Sequence, residues 1–194
     1  MKLKLFFLDL ETTGTRYWKN GIHQMSGCID IDSKTIESFD FKVRPNEAAL
    51  IEEEALKIAG VTQEQVLQYP HMSEIKKQLD KILARHVDKF KKDDKFFIVV
   101  FRNSSFDDAF FRAFFTQCGD NYFGSYFWAN TIDVSVLASE KLKHVRHTMT
   151  DFKLSTVADF LGIKVDESRL HDAMYDIELT REIYYILTKE SRNE

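Results

Sequence analysis

The chain has 194 residues, 44% hydrophobic, 13% aromatic and 30% charged, and 27 Lys and Arg against 31 Asp and Glu give a formal net charge of −4. That length suits one domain with a sizeable core, and only seven Gly and two Pro exclude collagen-like or disordered material. Two cysteines, Cys28 and Cys118, exclude a disulfide framework and a four-thiolate zinc site. No apolar run approaches the ~20 residues of a membrane span. Asp9 interrupts the N-terminal apolar run and no small-residue cleavage site follows, so neither a signal peptide nor membrane association is expected. A cytoplasmic protein of a reducing compartment is the expectation. An acidic chain does not attract nucleic acid by its overall field; a polyanionic substrate would need bound cations or a local basic patch.

The first predicted element is a strand over residues 3–10, apolar on both sides through Leu5 and Phe7 on one and Phe6, Leu8 and Leu10 on the other. That pattern fits a central strand covered on both faces. Segments 24–31 and 35–44, joined by Asp32-Ser33-Lys34, read as a hairpin. Residues 52–59 read as a helix stopped by Gly60, and 71–87 as a longer helix. The mixed-charge run 88–95 (DKFKKDDK) reads as a solvated loop. Residues 95–101 (KFFIVVF) predict a second apolar strand, 105–118 a helix ended by Gly119, and 126–132 a short strand. Helical patterns at 133–143, 154–161 and 172–187 close the chain. Three β elements followed by alternating helix and strand imply an α/β fold, a mixed sheet with helices on its faces. One domain over residues 1–190 with a short tail at 191–194 is expected.

A few carboxylates stand where a carboxylate is costly. Asp9 follows Leu5-Phe6-Phe7-Leu8 and shares a strand side with Leu5 and Phe7. A buried, unpaired carboxylate costs several kcal/mol or takes up a proton. Glu11, two residues on, points to the same side. Two acids on one side of a strand end fit a divalent-metal site or, equally, a strand that simply turns polar. Asp107 heads a helical stripe of Phe110, Phe111, Phe114 and Phe115. The stripe reads as core, with Asp107 facing inward and Asp108, ~100° away, exposed. Asp176 heads a stripe of Leu179, Ile183 and Leu187, while Asp172 stands at the expected cap. His171 precedes that helix.

Three motifs then resemble those of the DEDDh class of 3′→5′ exonucleases, the DnaQ-like branch of the ribonuclease-H-like superfamily. Phe7-Leu8-Asp9-Leu10-Glu11-Thr12-Thr13-Gly14 resembles the first, Asn103-Ser104-Ser105-Phe106-Asp107 the second, and His171-Asp172-Ala173-Met174-Tyr175-Asp176 the third. The resemblance implies a mixed five-stranded sheet, its first three strands antiparallel, with helices on both faces. It makes Asp9, Glu11, Asp107 and Asp176 ligands of two divalent cations, Mg²⁺ or Mn²⁺. It also makes His171 the general base, a role suited to a group with a pKa of ~6.5, with Glu11 at the reacting centre. Thr12, Thr13, Glu54, Asn103 and Phe106 are the implied substrate contacts. Tyr175 is adjacent to Asp176, so the tyrosine subclass does not fit. Arg102 stands where relatives often carry His, and Ala59 where they usually carry His or Asn; both bear on substrate grip, and neither removes a ligand.

The implied activity is release of nucleotides from the 3′ end of single-stranded DNA or RNA. The alternative is a catalytically silent nucleic-acid-binding or scaffolding module of the same fold. Some relatives dimerise, and proofreading members pair with a polymerase, so a homodimer or a polymerase partner is compatible with the resemblance. The short run after the last helix favours a free-standing enzyme or a non-covalent partner. Arg16-Tyr17-Trp18-Lys19 suits a strand end by charge and stacking, or is an ordinary amphipathic loop. The basic stretch 141–147 suits phosphates or the C-terminus of its own helix.

Overall fold

The computed structural model describes residues 2–170 and 172–189. Five strands form one sheet in the order β3-β2-β1-β4-β5. They are β1 (Lys4–Thr12), β2 (Ile22–Ile31), β3 (Lys34–Lys42), β4 (Phe97–Val100) and β5 (Ile132–Asp133). β1, β2 and β3 pair antiparallel, whereas β4 runs parallel to β1 and β5 parallel to β4. This is the mixed sheet of the ribonuclease-H-like fold, as the motifs imply.

The hairpin between β2 and β3 is tighter than its sequence indicates. Lys34 already pairs with Ile31, leaving Asp32 and Ser33 as a two-residue turn with φ of 49° and 66°. Both central residues at positive φ define the turn whose twist matches the flanking strands. Asp tolerates that conformation better than most side chains.

The helices are α1 (Glu53–Ile58), α2 (Gln63–Leu67), α3 (Met72–His86), α4 (Ser104–Gln117), α5 (Val134–Leu142), α6 (Leu154–Phe160) and α7 (Ala173–Thr188). Gly60, at φ 68°, ends α1 as expected. α2 is a finding of the structure. It is a five-residue helix with one buried side chain, Val66, and a capping box between Thr62 and Gln65, too short to show a period.

β1 is central and apolar on both faces. Phe6, Leu8 and Leu10 pack with α3 and α4, while Leu5 and Phe7 pack with α5, α6 and α7. The Phe stripe of α4 is core: Phe110, Phe111, Phe114 and Phe115 are all buried. Phe111 stacks on Phe6 at 5.9 Å and meets Phe127 edge-on at 5.4 Å.

One expectation is corrected. Segment 126–132 is not a strand. Residues Phe123–Ser125 form a single 3₁₀ turn, Phe127 makes one bridge to Phe96, and only Ile132–Asp133 pairs continuously. Tyr126 and Phe127 are apolar because they are buried in the aromatic cluster, not because they sit in a ladder. The charged run 88–95 is largely exposed, but Asp94 turns inward to the Lys4 ammonium and to the Asp88 N–H.

Candidate active site

The register places the functional side chains at one edge of the sheet. Phe7 pairs with Val99 near the end of β4, so β1 runs on past its parallel neighbour and carries Asp9 and Glu11 beyond it. Ligand sites of α/β sheets lie at such carboxyl ends. Across the other flank Asp9 faces Ser26 and Glu11 faces Gln24 on β2. The chain leaves β4 through Arg102 and Asn103, both at positive φ (69° and 58°), and enters α4 with Asp107 in its first turn.

Asp133 holds this sharp exit. Its carboxylate accepts the N–H groups of Arg102 (3.2 Å) and Ser104 (3.0 Å), and it also caps α5 through the N–H of Ser135 (2.9 Å) and the Ser135 hydroxyl (2.6 Å). Burial opposes its ionised form, but these hydrogen bonds outweigh that and hold its carboxyl below the usual range. Its role rests on contacts 29 and 31 residues away, which no local pattern discloses.

The four acids singled out in the sequence share one electrostatic neighbourhood. Burial raises the Asp9 carboxyl well above the usual carboxylate range, and repulsion from Glu11, Asp107 and Asp176 raises it further. Burial likewise pushes Asp107 up to about 7, against the pull of a backbone N–H and with the charges of Asp133 and Glu11 adding to the rise. Asp176 stands in the first turn of α7, and Asp172 is the exposed N-cap, accepting the Tyr175 N–H at 3.0 Å. His171 lies outside the described residues.

The donor chemistry fits hard divalent cations: carboxylate oxygens on three elements, desolvated and mutually repelling. Among the described residues, no three His, Cys, Asp or Glu side chains are already gathered closely enough to hold a metal ion. Carboxylates that repel one another favour uptake of a proton or a cation. The electrostatic coupling therefore marks the neighbourhood, not a closed ligand cage.

The implied substrate contacts divide. Asn103 and Glu54 are exposed, the latter in the first turn of α1. Phe106 is half-buried with its ring 4.8 Å from Phe110. The Thr12 hydroxyl donates to the Gly14 carbonyl at 2.7 Å. Thr13 is fully buried, and its hydroxyl donates to the Leu50 carbonyl (2.8 Å) and accepts the Gly21 N–H (2.9 Å), so it shapes the loop. Gly14, at φ +157°, lets the Asn20 amide approach; a Cβ there would lie 2.3 Å from it. Asp108 is corrected, being half-buried in an ion pair with Arg112 at 2.6 Å. Of the basic stretch 141–147, Arg146 lies over the Phe152 ring (4.8 Å), and Lys143 pairs with Glu140.

A mixed sheet of this order, with acids carried beyond the end of its central parallel pair, is the ribonuclease-H-like arrangement. The RNase_T exonuclease family model matches residues 6–184, and the chain belongs to that family, within the DnaQ-like branch of the superfamily. Solved neighbours include E. coli Exonuclease I in complex with a dT13 oligonucleotide, at 19% identity and TM-score 0.74, covering 96% of this chain and 41% of that one. They also include the zinc-ion-bound form of the E. coli Exonuclease I–ssDNA complex, at 20% identity and TM-score 0.76, covering 99% and 42%. At such identities the likeness is one of fold, and the chain spans about two-fifths of the length of these neighbours. A search of curated proteins finds no match. No helix among the described residues is long and apolar enough to cross a membrane.

Proposed function

We propose that the chain is a metal-dependent 3′→5′ exonuclease acting on single-stranded DNA or RNA. The observation that carries this reading is the desolvated Asp9 carboxyl, crowded by Glu11, Asp107 and Asp176 at the sheet edge. A silent module would carry that electrostatic cost for no return, since loss of one acid removes it. Asp9, Glu11, Asp107 and Asp176 would hold two Mg²⁺ or Mn²⁺ ions. Bound there, the cations supply Lewis-acid activation of water and stabilise charge on the leaving 3′ oxygen. In this reading Glu11 sits nearest the reacting phosphate, and His171 takes the proton of the attacking water. Glu54, Asn103 and Phe106 meet the terminal nucleotide with the backbone of Thr12, and Asp133 keeps the β4–α4 turn rigid. Single-stranded DNA in the neighbouring Exonuclease I structures supports the substrate class. Neither the fold nor those neighbours support a homodimer or a polymerase partner.

The test is digestion of 5′-labelled single-stranded DNA and RNA with Mg²⁺, chelator, and 3′-blocked controls. A ladder shortening from the 3′ end, stopped by the block and by chelation, is expected. Label released at once as mononucleotide, or no digestion under any divalent ion, overturns the proposal. His171→Ala should keep the fold and slow turnover by about 10²-fold or more; a near-wild-type rate removes it as the base.

A further inference from the structure

The segment Arg16-Tyr17-Trp18-Lys19 has no part in the site described above, yet it holds two adjacent exposed aromatic side chains. Trp18 is 65% exposed and Tyr17 43%, their rings edge-on at 5.1 Å. They do not sway on a loose loop. The Asn20 amide ties the segment to the carbonyls of Thr13 and Leu50, its side-chain oxygen accepts the Arg16 N–H, and Arg16 pairs with Glu52 at 2.5 Å.

The two rings wall a cavity of about 460 Å³ whose other side is the outer face of α4, well within the size range of ligand sites. Ala109 and Ala113, one turn apart, leave that helix face bare. At one end stands the Asp108–Arg112 pair, with the Arg112 guanidinium fixed over the Phe123 ring at 4.3 Å. Asp108 directly follows Asp107, so the cavity opens one residue from a candidate metal ligand. It runs to Gln117, roughly 14 Å along the helix axis at 1.5 Å per residue. The Gln117 side-chain oxygen is taken by Asn46 (2.7 Å), which turns its NH₂ group into a fixed donor at the far end.

An exposed indole face beside the uncrowded, alanine-lined face of α4 suits the stacking of a planar ring system. We infer that this cavity is a nucleobase subsite, in which a base of the substrate strand beyond the terminal nucleotide stacks on Trp18. The inference rests on the exonuclease reading and extends it. Stacking on an indole face tolerates any base sequence, and a base held in a duplex stack is not free to enter. The subsite therefore gives single-strand preference without sequence preference. It also supplies grip that an acidic chain lacks in its overall charge.

The test compares kcat/KM on a ten-residue oligothymidylate with that on thymidine 5′-p-nitrophenyl phosphate, which has no second base, for wild type, Trp18→Ala and Trp18→Phe. Anisotropy binding of the labelled oligonucleotide is measured alongside. Trp18→Ala should lower the oligonucleotide-to-ester ratio and weaken binding by about 5- to 100-fold, the usual worth of one stacked base, and Trp18→Phe should restore most of it. An unchanged ratio with unchanged binding, or an equal loss on both substrates, overturns the subsite while leaving the nuclease reading intact. Trp18-dependent binding by a wild type that cleaves neither substrate sinks the nuclease reading and keeps the subsite. Binding that is absent, or indifferent to Trp18, in such a protein sinks both.

Discussion

Burial alone lifts the Asp9 carboxyl, and three neighbouring carboxylates lift it further. Removing one charge from that group relieves the apo protein while destroying the proposed ligand set. Asp9→Asn is therefore expected to raise the melting temperature in chelator and to abolish the upward shift that Mg²⁺ gives wild type; a thermal melt with and without Mg²⁺ checks both. His23 is a second costly residue, and one without a proposed catalytic role. It is 1% exposed, neither ring nitrogen has a hydrogen-bond partner among the described residues, and burial, with the Lys42 charge nearby, holds its pKa down to about 4. The unfolded chain binds that proton from about pH 6.5 downward and the folded chain does not, so stability falls as pH drops from 6.5 toward 4. The loss is about 3 kcal/mol. The raised pKa values of Asp9 and Asp107 act in the opposite sense, so the comparison must be between wild type and His23→Leu. Between pH 7.5 and 4 the urea midpoint should fall further for wild type than for His23→Leu, and an equal fall in both would contradict the assignment. Asp9 and Glu11 were legible because strand alternation shows an acid among apolar neighbours. His23 was not, because one polar residue in a strand of mixed character carries no such contrast.

At the scale of elements, the site depends on how β4 passes into α4. Two consecutive non-glycine residues, Arg102 and Asn103, at positive φ are a strained exit, and the Asp133 carboxylate receives the N–H groups of Arg102 and Ser104 along with that of Ser135 in α5. Asp133→Ala should lower nuclease activity by about 10- to 100-fold, as loss of a group supporting ligands commonly does. It should also cost about 1 kcal/mol through the lost α5 cap, and Asp133→Asn should recover part of each. Rates and denaturant midpoints for the three proteins check this. α7, which carries Asp176, is held against β2 in a similar way: the buried Asp30 accepts the Arg181 Nε–H and the Tyr185 hydroxyl, both at 2.6 Å. The strands and long helices were legible from period and stops, as with the β2–β3 hairpin and Gly60. α2 and the two-residue β5 were not, since neither is long enough to repeat its period. Segment 126–132 misled because Tyr126 and Phe127, buried in an aromatic cluster, give the same apolar signal as a buried strand.

Over the whole molecule, motifs from β1, the start of α4 and the start of α7 lie far apart in sequence, yet their acids act on one another electrostatically. The two-faced burial of β1 followed from the sequence pattern, and the antiparallel first three strands from the family resemblance. The partners of the acids, and the loop that keeps Thr13 inside while turning Trp18 outward, followed only from tertiary packing. With a net charge of −4, the protein depends on cations and local contacts to meet a polyanion, so the cation site is the claim on which the rest depends. Calorimetric titration with Mn²⁺ tests it most directly, comparing wild type with Asp9→Asn, Asp107→Ala and Asp176→Ala. Saturable binding of about two ions per chain in wild type, lost or halved in each variant, is the predicted result. Wild type that takes up no Mn²⁺, or variants that bind it as wild type does, would contradict the account.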